Sequence, residues 1–171
     1  MDVFGIAKKM KITIVFASEI LKKHKNKIDE YFFYGYPNSY LYYHRDTQKI
    51  IIYIDDIGTK EKRQRFSLAH ELMHIILGHE EQSERNEAEA NFGATYLLAP
   101  TSLVLTRQND ESLLIPKKVE YIYDISVPEA KIVARYNTGR LSCHDLGERD
   151  YEKTINRLLR ESLDERISNY H

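Results

Sequence analysis

Five consecutive residues, His70-Glu71-Leu72-Met73-His74, constrain this chain more than any other feature it has. On an α-helix, residues i and i+4 stand on one face about one turn apart, so both imidazoles can point at a single ion. Glu71 follows the first histidine, near enough to reach a water at that ion without ligating the ion itself. Two imidazoles holding Zn²⁺, and a carboxylate that takes the proton of an attacking water, are the parts that metal-assisted peptide hydrolysis needs. The 7 His and 16 Glu among 171 residues would give about 0.03 such pentapeptides by chance. The flanking sequence must therefore decide whether these residues form a site.

Upstream, Tyr36-Pro37-Asn38-Ser39 reads as a turn, and residues 40–44 and 49–54 read as strands joined by a hairpin at Arg45-Asp46-Thr47-Gln48. The run Ile50-Ile51-Ile52-Tyr53-Ile54 is apolar on both faces, as in a strand covered on two sides. Asp55 to Thr59 breaks the strand, and Thr59 is the expected N-cap of a helix over 60–78 that stops at Gly78. Phe66, Ala69, Leu72 or Met73, and Ile76 form its expected buried stripe. A second helix is predicted over 84–98, with Ser83 as cap, acidic residues in its first turn and Pro100 beyond its end. Its Ala88, Ala90, Gly93 and Ala94 are small enough to let another helix come close.

A catalytic zinc takes three protein ligands and keeps one open position. His79 is the nearest further candidate, but at i+5 from His74 and past Gly78 it is rotated off the ligand face. The second helix offers Glu84, Glu87 and Glu89, of which Glu87 is best placed. Asn91, four residues on and on the same face, could hydrogen-bond a ligating imidazole. Glu89 lies about 200° around the helix from Glu87 and is expected in solvent.

The segment Arg65-Phe66-Ser67-Leu68-Ala69-His70-Glu71-Leu72-Met73-His74, with Glu87-Ala88-Glu89-Ala90-Asn91 and the run to Leu97-Leu98-Ala99-Pro100, resembles the ImmA/IrrE metallopeptidase family. The family shows an RFxxAHELxH-type helix, then a helix whose leading Glu is the third zinc ligand. Both blocks occur here in order and at compatible spacing. The resemblance covers about residues 40–137 and is specific over 63–100. Met73 stands where Gly is frequent and Ala99 where Met often precedes the Pro. What the resemblance implies is a zinc endopeptidase with His70, His74 and Glu87 as ligands and Glu71 as general base. The implied partner is a helix-turn-helix transcriptional repressor of a phage or mobile element, whose cleavage derepresses its genes. The alternative is a zinc-binding antirepressor or sensor that acts by binding rather than cleavage.

Beyond Pro100 the pattern is helical. Ile115-Pro116 opens a helix through Ile122, and Ser126-Val127-Pro128-Glu129 caps another that runs to Tyr136 and ends at Asn137-Thr138-Gly139. The pair resembles a helix-turn-helix. A last amphipathic helix carries Ile155, Leu158, Leu159 and Leu163. DNA is a poor partner for this region: residues 101–140 hold 6 Lys/Arg against 5 Asp/Glu, and Glu129 would face phosphates. Packing against the catalytic part is the better expectation. His44, Tyr121, Tyr123, His144 and Tyr151 could each donate to a tetrahedral oxyanion, but the sequence places none of them beside the site.

These readings predict an α+β, zincin-like fold: a small antiparallel sheet or hairpin packed on the helix of 60–78 and the ligand-bearing helix of 84–98. A metallopeptidase core over 1–100 is then followed by a helical part over 101–171. Residues 14–30 read as a basic helix whose Lys22, Lys23, Lys25 and Lys27 face solvent. The hydrophobic share of 42% and charged share of 30% fit a soluble globular protein. The net charge of −1 hides 13 Lys/Arg against 8 Asp/Glu in residues 1–65 and 12 against 18 in the rest. The single Cys143 excludes an intramolecular disulfide or a cysteine-based zinc site. The apolar run of residues 12–17 is too short for a signal or membrane segment, so a cytoplasmic location without membrane contact is expected.

Overall fold

The computed structural model describes residues 2–23, 38–100, 114–143 and 149–158. In chain order these form α1 (Val3–Lys9), β1 (Thr13–Phe16), α2 (Ala17–Lys23), β2 (Ser39–His44) and β3 (Lys49–Ile54). Then come α3 (Glu61–Leu77), α4 (Glu84–Leu98), α5 (Pro116–Tyr123), α6 (Val127–Ser142) and a final helical stretch, α7, over 150–158. The architecture is α+β, as the sequence predicts. The Tyr36-Pro37 end of the expected turn, residues 24–30 of the expected basic helix, His144, Leu159 and Leu163 lie outside the described residues.

The sheet has three strands in the order β1-β3-β2. The expected hairpin is present, with Tyr40 opposite Tyr53 and Leu41 opposite Ile52. The third strand was not expected: β1 pairs with β3 in parallel, Thr13 against Ile51 and Phe16 against Ile54. Residues 14–16, predicted as the start of a helix, are thus extended, and helix begins only at Ala17. The physical reason is long-range: Thr13–Phe16 is rich in β-branched residues and finds a free edge of β3 to pair with. The corner is fixed by Asp56, whose carboxylate accepts the Ser18 N–H at 2.8 Å and its hydroxyl as well.

One face of β3 presents Ile52 and Ile54, both fully buried with Leu68, Ala69, Leu72 and Met73 of α3 in the core. Side chains directly opposite in an antiparallel pair share a face, so Ser39, opposite Ile54, stands on the side that meets α3. Tyr40 stacks on Tyr53 on the other face, with ring centroids 4.6 Å apart.

Helix α3 starts at Glu61 with Lys60, not Thr59, in the N-cap position, and without a side-chain cap. Thr59 instead donates its hydroxyl to the Asp55 carbonyl at 2.6 Å and so belongs to the preceding turn. At the other end Gly78 takes the left-handed conformation, φ 69°, that closes helices at low cost when Cβ is absent. Ser83 caps α4 by accepting the Asn86 N–H at 3.1 Å. Helices α3 and α4 approach closely at Gly93, where an added Cβ would lie 2.5 Å from Met73 Cε. Helix α6 runs to Ser142, past the expected stop at residues 137–139, because Asn137 is buried and Arg140 is held inside the fold.

Candidate metal centre

Helix α3 places His70 and His74 on one face with Nε2 atoms 3.0 Å apart. Helix α4, joined to α3 by the short loop at 78–83, brings Glu87 to them. One Glu87 oxygen lies 3.3 Å from His70 Nε2 and the other 3.5 Å from His74 Nε2. Among the described residues this is the one such His/Glu group whose donor atoms converge within 4.8 Å. Three lone-pair donors facing one another repel unless a cation or proton lies between them. Tetrahedral ligands at about 2.1 Å from a metal stand roughly 3.4 Å apart, and separations of 3.0, 3.3 and 3.5 Å agree with that. The residues present therefore fit a divalent metal with nitrogen and oxygen ligands.

The side chains that surround the cluster prepare it for that role. His70 Nδ1 lies 3.1 Å from Asn91 Oδ1. With Nδ1–H donating to the amide oxygen, Nε2 keeps its lone pair toward the cluster. Burial pushes the pKa of His70 below that of a free imidazole, against the opposing pull of Glu87. His74 is lowered too, by burial and then by neighbouring His70. Both imidazoles are thus biased to the neutral, ligating form.

Glu71 lies deeper, with 7% of its surface exposed, and lines the same cleft as the cluster. Burial raises its pKa to about 7 and Glu87 adds to the rise, while a hydrogen bond from Ser39 opposes it. Ser39 Oγ donates to Glu71 Oε1 at 2.8 Å. Sequence reading placed Ser39 in a turn and assigned it nothing. The strand register that aims it at α3 is the signal, and it becomes visible only once β2 and β3 are paired.

The cleft encloses about 1250 Å³ and is walled by residues 38–42 of the hairpin, by α3 and by the loop and first turns of α4. It contains Arg63 and Tyr42 as hydrogen-bond donors. Of the residues considered able to stabilise an oxyanion, His44, Tyr121, Tyr123 and Tyr151 do not line it. Tyr121 is 88% exposed. His79 stands outside the converging ligand set, with its Nδ1 3.0 Å from His74 Nδ1. Glu89, partly exposed, meets His79 Nε2 at 3.3 Å and Arg85 Nε at 2.7 Å.

A buried carboxylate poised near neutrality beside a converging His-His-Glu set defines the class: a metallopeptidase-like domain. The profile of the peptidase family described as the IrrE N-terminal-like domain matches residues 7–137, and the chain belongs to that family. The match reaches back to α1 and β1, beyond the residue 40 at which the sequence resemblance begins. No curated protein and no solved structure matches the chain.

Proposed function

We propose that this protein is a zinc-dependent endopeptidase in which His70, His74 and Glu87 hold the metal and Glu71 is the general base. The observation that carries the reading is the pairing of three converging ligand atoms with a buried carboxylate whose pKa is about 7. A bound Zn²⁺ would supply Lewis acidity, polarising the scissile carbonyl and lowering the pKa of water toward about 7. Glu71 accepts a proton from the attacking water and delivers it to the departing amine, which a base with a pKa near the working pH does best. Ser39 holds Glu71 in place and Asn91 holds His70 in the ligating tautomer. Among the described residues β2 is an edge strand that borders the cleft, a place where an extended peptide can add as a further strand.

The substrate we propose is a helix-turn-helix transcriptional repressor, cut at one site in the cytoplasm. The resemblance to ImmA/IrrE metallopeptidases, with membership of the family described as the IrrE N-terminal-like domain, supports this choice. The test is to incubate the zinc-loaded protein with a helix-turn-helix repressor from the same genome, comparing wild type, Glu71→Gln and Glu87→Ala. Cleavage should fall by at least about 10³-fold in Glu71→Gln with zinc content unchanged. Glu87→Ala should lose zinc. Full cleavage by Glu71→Gln would overturn the mechanism. Relief of repression by that variant, with the repressor intact, would show instead an antirepressor that acts by binding.

A further inference from the structure

Behind His74, on the side away from Glu87, runs a chain of polar contacts that the hydrolytic scheme does not use. His74 Nδ1 lies 3.0 Å from His79 Nδ1, and His79 Nε2 lies 3.3 Å from Glu89 Oε2. The other Glu89 oxygen accepts Arg85 Nε–H at 2.7 Å. His79 reaches this position because Gly78 adopts φ 69° and turns the chain back, so that the His79 N–H bonds the His74 carbonyl at 2.9 Å. Its side chain is 7% exposed, against 41% for Glu89 and 85% for Arg85. The chain thus leads from the ligand cluster to solvent.

The protons in such a chain can be ordered one way only if His74 is to ligate through Nε2. Its Nδ1 must then carry the proton and donate to His79 Nδ1. His79 must accept there, so its proton sits on Nε2 and is donated to Glu89. An ionised Glu89 only accepts: one oxygen faces His79 Nε2 and the other takes the Arg85 Nε–H. The two histidines of the cluster therefore have unlike supports, a neutral amide behind His70 and an imidazole–carboxylate pair behind His74.

We propose that His79 and Glu89 are positioning residues that fix His74 as the Nδ1–H tautomer and aim its Nε2 at the metal cluster. This rests on the reading that His70, His74 and Glu87 hold the metal. Partners of this kind change metal affinity by about 10- to 100-fold when removed.

The experiment measures Zn²⁺ affinity by chelator competition, and histidine tautomers by ¹⁵N NMR of the metal-free chain. It uses wild type, His79→Phe, His79→Gln, Glu89→Gln and Glu87→Ala. His79→Phe removes the acceptor and should weaken Zn²⁺ binding 10- to 100-fold, while moving His74 from one tautomer to a mixture. His79→Gln keeps an acceptor oxygen and should recover most of the affinity. Glu89→Gln, at a surface position that leaves the core intact, should fall between. Unchanged affinity and an unchanged His74 tautomer in His79→Phe and Glu89→Gln, with Glu87→Ala still losing zinc, would overturn this proposal alone. A wild-type chain that binds no Zn²⁺ would overturn the metal reading and this proposal together.

Discussion

Glu71 carries a cost that can be measured without any substrate. In the folded chain its pKa is about 7 against an ordinary 4.5, chiefly because burial disfavours its charge. A carboxyl raised on folding binds its proton more tightly in the folded state, so it favours folding below pH 4.5, and this is lost as pH rises through 7. Above that the ionised group costs up to about 3 kcal/mol. Glu71→Gln keeps an acceptor for Ser39 and has no charge to bury. Urea denaturation of the metal-free proteins should find the variant more stable at pH 8, the difference vanishing toward pH 4.5. The histidines work in the opposite sense. His70 and His74 have pKa values lowered from 6.5, so below that pH the unfolded chain takes up protons first. Glu71→Gln, free of the carboxyl effect, should lose stability on acidification below 6.5. Zinc retained after dialysis should fall over the acid side of that range as protons compete for Nε2. At this scale the sequence was legible wherever spacing along one helix decides geometry. His70 and His74 at i+4, and Glu87 with Asn91 on one face of the next helix, needed nothing more. Ser39, His79 and Glu89 were hidden because each reaches its partner through a strand register, a left-handed turn or a second helix.

The two helices that bear the site approach closely where Gly93 faces Met73. A Cβ on Gly93 would meet Met73 Cε at 2.5 Å and Cγ at 2.9 Å, and Met73 is fully buried. Its tip can swing aside, but moving its Cγ needs a new χ1 rotamer in a fully packed interior. Gly93→Ala should therefore destabilise the fold by about 1–3 kcal/mol, despite the higher helix propensity of Ala. Met73→Ala alone should also destabilise, by about 2–5 kcal/mol through the cavity it leaves. The double variant should cost less than the two single effects added, since each relieves part of the other. Chemical denaturation of the three variants checks this; strict additivity would show that Met73 does not limit the approach at Gly93. Helix ends were readable from local chemistry where a cap is made by adjacent residues, as at Ser83 and Gly78. They were misread where a distant contact prevails. Thr59 caps nothing because it serves the turn at Asp55, and α6 continues through Gly139 because Asn137 and Arg140 are buried.

Over the whole molecule, the helices that bear the His-His-Glu cluster and the C-terminal helices are joined through contacts that begin beside Asn91. Phe92, next to Asn91 on α4, packs edge-on against Tyr136 of α6 and Tyr151 of α7, with centroids 6.2 and 5.2 Å away. Asn156 donates to the Tyr96 hydroxyl at 3.1 Å. Residues 101–140 hold 6 Lys/Arg against 5 Asp/Glu, too little net positive charge for a nucleic-acid surface. What composition could not show is how β1 closes the sheet: its partner β3 lies more than thirty residues away, and no periodicity announces a pairing at that distance. Nor could it show the buried ion pair that locks α6 to α7. One Arg140 nitrogen, Nη1, lies 2.7 and 2.8 Å from the two Glu152 oxygens, with both side chains almost wholly buried. Glu152 also accepts the Arg149 N–H at 2.7 Å, which starts the last helix. Glu152→Ala takes away the buried carboxylate that faces the buried Arg140 guanidinium, so it should cost about 3–5 kcal/mol. The pair as a whole is worth far less, because desolvation offsets most of its attraction. Arg140→Met with Glu152→Leu should therefore restore much of the stability that Glu152→Ala removes. Thermal or urea unfolding of the three proteins measures this directly. Zinc affinity should be kept in the double variant, as neither residue belongs to the ligand cluster. A double variant as unstable as Glu152→Ala would mean that the pair is a net source of stability rather than a device that fixes how α7 meets α6.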